Sequence, residues 1–143
     1  MSLFCGIDWA TEHHDVAIID DDGRVVARAR VANDAAGFAA LLRLLAEAGD
    51  SADHPIPVAI ETDRGLWVGA VRETGRVIYP INPLAASRYR ARHAVSGAKS
   101  DATDAVLLAN IIRTDADAHR PLPADTELAQ AIRVLARAQQ DAV

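Results

Sequence analysis

The chain has 143 residues, half of them apolar, which is the size and composition of one domain with a core of its own. Aromatic residues make up only 4%, Lys99 is the sole lysine and Cys5 the sole cysteine, so aliphatic side chains and alanine must fill the interior and no intramolecular disulfide can form. A net charge of −5 excludes a protein that coats nucleic acid with its whole surface, no apolar stretch reaches the ~18 residues of a membrane helix, and the lack of a basic-then-apolar leader at Met1-Ser2-Leu3 places the protein in the cytoplasm.

In chain order, Leu3 to Asp8 is a short apolar run ending in an acid, and Asp15 to Asp20 is a second run of β-branched character; both predict strands. Asp21-Asp22-Gly23 is a turn signal, after which Val25, Ala27, Ala29 and Val31 alternate with Arg24, Arg28 and Arg30. The pattern predicts an antiparallel hairpin with one solvated face. Asn33 or Asp34 can cap a helix whose inner face is Phe38, Leu41, Leu42 and Leu45 and whose stop is Gly49. After a polar loop, Val58-Ala59-Ile60 is a strand that runs into Glu61, followed by a helix from Gly65 to Glu73 and a strand from Arg76 to Tyr79 closed by Pro80 and Pro83. Strands alternating with helices imply parallel pairing in this part. Leu84 to His93 reads as a basic helix, Ala94 to Lys99 as a loop, Ser100 to Arg113 as a helix, and Thr126 onward as a last helix set off by Pro121-Leu122-Pro123.

Four acids stand where chemistry could use them. Asp8 and Glu61 each end an apolar strand, and on parallel neighbours their carboxylates emerge at the same end of the sheet. Asp101 and Asp104 share one helix face with Leu108, Ile111 and Ile112, so they point with the buried stripe toward the sheet. Taken singly, each has a structural reading: the helical pair complements the macrodipole beside Ser100, and Asp8 starts a turn. Together they are hard to explain structurally, because buried unpaired carboxylates cost several kcal/mol unless a cation neutralises them. Carboxylate oxygens are what Mg²⁺ prefers, and four acids can hold two ions for phosphodiester cleavage.

Gly6-Ile7-Asp8-Trp9-Ala10 followed by Asp15-Val16-Ala17 and Asp22-Gly23, then Ile60-Glu61-Thr62, then Lys99-Ser100-Asp101-Ala102-Thr103-Asp104-Ala105, resembles the amino-terminal domain of the DEDD insertion-sequence transposases, recombinases guided by a bridge RNA. The resemblance implies an α/β, RNase H-like (RuvC-like) fold: a mixed sheet with an antiparallel hairpin and helices on both faces. It implies Asp8, Glu61, Asp101 and Asp104 as the catalytic tetrad holding Mg²⁺ or Mn²⁺, DNA and a guide RNA as partners, and a homo-oligomer in the full-length protein. It also implies a catalytic domain over 1–120, with 121–143 as a linker and the start of a helix toward a carboxy-terminal domain that carries an attacking serine outside this chain. Asp63, where the family places glycine, is a departure in the loop after Glu61.

Charge is unevenly spread. Arg88, Arg90, Arg92 and Lys99 fall in a stretch without any acid, a basic strip on an acidic body. A solvated helix face is one reading of this strip, and contact with nucleic-acid phosphates is the other. His13-His14 beside Glu12 reads as a solvated loop rather than a metal site, Cys5 as a small core residue, and Trp9 and Trp67 as packing. Two further functions use a similar beginning. A Holliday-junction resolvase would use the four acids with water as nucleophile. An actin-like or sugar-kinase ATPase also opens on Gly-Ile-Asp after a strand, but Trp9-Ala10-Thr11 stands where its phosphate loop would be. A non-enzymatic interaction module would have no need of four convergent acids.

Overall fold

Alternating apolar residues give the first part of the chain to strands, and the computed structural model shows how they pair. It describes residues 2–10, 12–61, 66–93, 101–119 and 121, without the side chains of 66, 92, 93, 101–103 and 118. The expected loop 94–99, the linker and the helix from Thr126 lie outside the described residues.

Strands β1 (Phe4–Asp8), β2 (His13–Ile19) and β3 (Val25–Ala32) form an antiparallel meander. Its second turn is tied by the Asp20 carboxylate, which accepts from the amides of Asp22 at 2.9 Å and Arg24 at 3.0 Å. Strand β2 starts two residues before the sequence reading placed it, so His13 and His14 are not in a solvated loop. Helix α1 (Ala35–Ala48) is capped by Asp34, whose side chain accepts from the Gly37 amide at 2.7 Å, and it ends at Gly49 with φ 110°, a left-handed backbone that glycine adopts without penalty. Then come β4 (Val58–Ile60), α2 (Leu66–Glu73), β5 (Ile78–Pro80), α3 (Pro83–His93) and α4 (Asp101–Asp115), followed by a 3-10 turn over Ala116–Ala118. Pro80, expected to close β5 from outside, is its last residue. It costs no ladder hydrogen bond, because β5 is an edge strand.

The sheet order is β3-β2-β1-β4-β5, with β1, β4 and β5 parallel. Side-chain alternation then sorts residues to two faces. Cys5, Ile7, Val16, Ile18, Val31, Val58 and Ile60 face α1 and α2, where they meet Leu41, Leu45, Trp67 and Val71. Burial pushes the Cys5 thiol up to about 12, so this cysteine is an inert core residue. Helices α3 and α4 cover the other face, with Ala59, Ile81, Ala86, Tyr89, Leu108, Ile111 and Ile112 at its centre. Helices thus lie on both faces of a mixed sheet, as expected.

Candidate active site

On the α4 face the strands carry small residues at mid-sheet and acids at one end. Gly6 is the reason a helix can come so close. A Cβ built on it would lie 2.0 Å from the Ala105 carbonyl oxygen and 2.7 Å from the Ala109 amide, so α4 rests its own backbone on β1. Asp104, one residue before that contact, is thereby set at the carboxyl end of β1.

The register brings the strand acids to the same level. Ile7 pairs with Ile60 in the parallel ladder, so Asp8 and Glu61 are the next residues along neighbouring strands, both half-buried. Each shares the parity of Gly6 and Ala59, which face α4. Asp15 is the antiparallel partner of Asp8, and Arg30 is the partner of Asp15. A row Glu61, Asp8, Asp15, Arg30 therefore runs across the sheet on the face that α4 overlies. Strands in a sheet lie about 4.8 Å apart, so the row spans three such steps.

Charges within this group are partly neutralised. The Arg90 guanidinium donates to the Asp104 carboxylate at 2.6 Å. Burial, and the Asp104 charge after it, push the Glu61 carboxyl above its ordinary value, while Arg90 pulls it back. Arg30 forms a two-pronged pair with Asp15, Nε to Oδ1 at 2.9 Å and Nη2 to Oδ2 at 3.3 Å.

Of the sequence candidates, the structure therefore sets Asp8 level with Glu61 on the neighbouring strand and brings Asp104 within electrostatic reach of Glu61. Asp101 opens α4 one turn before Asp104, with its side chain outside the described residues. Among the described residues, no group of three His, Cys, Asp or Glu is arranged to hold a metal unaided. The basic strip divides. Arg88 is exposed and Arg90 turns to Asp104, consistent with their being two residues apart on a helix; the side chain of Arg92 and all of Lys99 lie outside the described residues. The absence of acids beside the strip in sequence does not hold in space, since Asp104 is fourteen residues away from Arg90.

Sequence reading missed Asp15 with Arg30, and it missed His14. His14 is 0% exposed. Its ring stacks on Trp9 at 4.2 Å between centroids and meets the edge of Trp67 at 4.5 Å, and Trp67 in turn meets Phe38 at 5.5 Å. The Ala10 amide donates to Nδ1 at 3.2 Å, so Nε2 carries the ring proton and donates to the Asn33 side chain at 3.1 Å. Burial holds the imidazole below its ordinary pKa, and the ring stays neutral. His14 thus fastens Trp9 and Ala10, the two residues after Asp8, to the core. The signal available in the sequence was alternation: His14, Val16 and Ile18 share one parity.

Comparison with known proteins agrees with this architecture. A family profile described as a transposase, that of the IS110-type DEDD transposases, matches residues 5–143. The mini-circle protein of Streptomyces coelicolor named as a transposase for IS117 is 66% identical over 143 residues, all of this chain and 34% of that protein. The protein y4uE of Sinorhizobium fredii, also named as a transposase, is 33% identical over 139 residues, 96% of this chain and 39% of that one. The chain thus spans little more than a third of the length of these curated relatives. Among solved structures, RuvC of Thermus thermophilus superposes with a TM-score of 0.59 at 18% identity, over 84% of this chain and 99% of RuvC. RuvC in complex with a Holliday junction gives 0.58 at 16% identity, over 85% and 100%. At that identity the likeness is one of fold, and the fold is RuvC-like.

Proposed function

Since the chain belongs to the IS110-type DEDD transposase family, we propose that its acids form the divalent-metal site at which DNA strands are cut and exchanged, with an RNA guide selecting them. The observation that supports this most is the convergence of Asp8, Glu61 and Asp104, from residues far apart in the chain, at one end of the α4 face. Gathered acids repel one another, and a fold that needed only stability would not assemble them. The donor set fits a hard cation: it is all oxygen, the Asp104 charge adds to burial in holding the Glu61 carboxyl above its ordinary value, and the Arg90 guanidinium already stands at Asp104 as a counter-cation. Asp8, Glu61, Asp101 and Asp104 would hold Mg²⁺ or Mn²⁺.

When bound, the metal supplies charge stabilisation to the phosphodiester oxygens as the strand breaks. The chain's own residues position that chemistry. The β1–β4 register fixes Asp8 beside Glu61, the Gly6 contact fixes the height of Asp104 above them, and Arg90 holds the Asp104 carboxylate in one orientation. Arg88, Arg92 and Lys99 contact backbone phosphates in this reading. The catalytic domain occupies 1–120, with 121–143 leading out of it. In this reading a serine hydroxyl attacks, and the acids of this chain stabilise the leaving oxygen. The working protein is a homo-oligomer.

Thermal melting of the chain tests the metal reading. Mn²⁺ at ~100 times its Kd is expected to add about 2.7 kcal/mol of stability. Asp8→Asn and Glu61→Gln should remove that gain, and Glu61→Gln should also raise the melting temperature in EDTA at neutral pH. The sign follows from linkage: a carboxyl held above its ordinary pKa favours the fold when protonated, and that stability is lost as pH rises through its folded value. Melting unchanged by either Mg²⁺ or Mn²⁺ would falsify the metal site. Metal-dependent cutting of branched DNA by these 143 residues alone, with no covalent protein–DNA adduct, would replace the transposase reading with a resolvase that activates water.

A further inference from the structure

The row of charged residues does not end at Asp8. Beyond it lie Asp15 and Arg30, and Arg28 follows two residues back along β3 on the same face. Helix α4 packs on β1, β2 and β4, and among the described residues no element covers the part of this face belonging to β3: Val26 is 50% exposed, Arg28 is exposed, and the Arg30 side chain is 57% exposed. Arg28, Arg30 and Asp15 line a shallow hollow there, together with their chain neighbours Val16 and Ala29. Strand β3 has two arginines and no acid, and Arg24 stands just before it, in a chain whose net charge is −5.

We propose that Arg30 and Arg28 bind phosphates of a nucleic-acid strand close to the phosphodiester cut at the site of Asp8, Glu61 and Asp104, making the open face of β3 the track by which that strand leaves the site. This rests on the metal reading above for its position, and on charge and geometry for its ligand. Two inter-strand steps place Arg30 roughly 10 Å from Asp8. At ~3.4 Å of rise per nucleotide, that is about three nucleotides from the cut. Arg28 lies a further two residues along the strand, ~6.8 Å, or about two nucleotides more.

The Asp15–Arg30 pair supports the assignment. A mostly exposed ion pair adds little stability, ~1 kcal/mol or less. Yet the Asp15 side chain is only 12% exposed, so its carboxylate holds the guanidinium in place at the surface before any ligand arrives. An arginine fixed in this way loses less side-chain entropy on binding a phosphate than a free one. Arg28 has no acid within ion-pair distance among the described residues. Charged residues on an edge strand also discourage strand-to-strand aggregation, and that role alone would leave nucleic-acid binding untouched when they are removed.

The test is a fluorescence-anisotropy titration of the chain, in EDTA, against single-stranded DNA, duplex DNA and RNA of one sequence between 50 and 200 mM salt. Arg28→Ala, at an exposed position, should leave melting unchanged and lower the slope of log affinity against log salt by ~0.7–0.9, one phosphate contact. Arg30→Ala strands the buried Asp15 carboxylate, so it is made together with Asp15→Ala; adding this pair to Arg28→Ala should lower the slope by ~1.4–1.8 in all. A loss on DNA at least as large as that on RNA supports the exit track, and a loss confined to RNA overturns it in favour of a guide-binding face. Folded variants that keep the parental slope and affinity on all three probes overturn the proposal. Melting with Mn²⁺ separates the two readings. A retained Mn²⁺ shift with an unchanged slope removes the β3 face alone. A lost Mn²⁺ shift with a reduced slope removes the metal site and leaves β3 its ligand.

Discussion

The two faces of the sheet solve different problems with the same strands. Toward α1 and α2, large side chains interdigitate, and the buried His14 beside them has both ring nitrogens hydrogen-bonded. Toward α4, Gly6, Ala17 and Ala59 are small, the helix backbone rests on the strand, and polar groups with unlike charges gather at the sheet's end. One face is built for cohesion. The other sacrifices side-chain volume so that a helix acid can stand beside strand acids, and among the described residues no helix covers its edge strand β3. The contrast shows that stability and chemistry in this domain are supplied from opposite sides of a single layer.

Gly6→Ala should break that arrangement most severely. Its new methyl would meet main-chain atoms of Ala105 and Ala109, which cannot rotate away, so the cost exceeds the ~1–3 kcal/mol typical of core overpacking. Urea denaturation should show a loss of at least ~3 kcal/mol or no folded protein. A loss under ~1 kcal/mol would mean that α4 can slide without consequence.

His14 sharpens the cohesive side of the comparison. Its replacement by alanine removes a ring packed between Trp9 and Trp67 and orphans the Ala10 amide, a loss of about 2–4 kcal/mol by denaturation. The pH dependence has a definite sign. The imidazole is held below its ordinary pKa, so the unfolded chain protonates first, and stability present above the ordinary histidine range falls as pH drops through it toward the folded value. Melting between pH 7.5 and 5 should therefore decline more steeply for the parent chain than for His14→Gln. Parallel declines would remove His14 as the cause.

The smallest effect has the opposite direction. Gly69 is exposed in the middle of α2 with open space where a Cβ would go, so Gly69→Ala should stabilise the chain by ~0.5–1 kcal/mol. Two glycine-to-alanine changes on opposite faces would then differ in sign, with close backbone contact as the reason.

Sequence periodicity was enough for most of the fold. Turn chemistry at Asp21-Asp22-Gly23, the Asp34 cap, the Gly49 stop and the acids ending β1 and β4 act locally, within a few residues of the feature they specify. Their legibility follows from that. Three things were not legible because they depend on partners distant in the chain. Glu12-His13-His14 looks polar enough for a loop, and only Trp67 and Asn33 make His14 a core residue. Arg90 looked free of acids until α4 brought Asp104 to it. Arg30 looked like one more solvated arginine in an alternating strand, because its place in the row depends on the registers of two ladders at once.

The contact at Gly6 has a consequence for how such a domain can diverge. Where two elements meet through side chains, exchanging a leucine for an isoleucine shifts their separation, and everything mounted on them drifts. Here the separation is set by main-chain atoms touching across a missing side chain, a gauge that is the same whatever apolar residues surround it. Core substitutions along α4 can therefore accumulate while the distance from Asp104 to the strand acids stays calibrated, so a chain can lose much of its sequence likeness without losing the geometry of its acids.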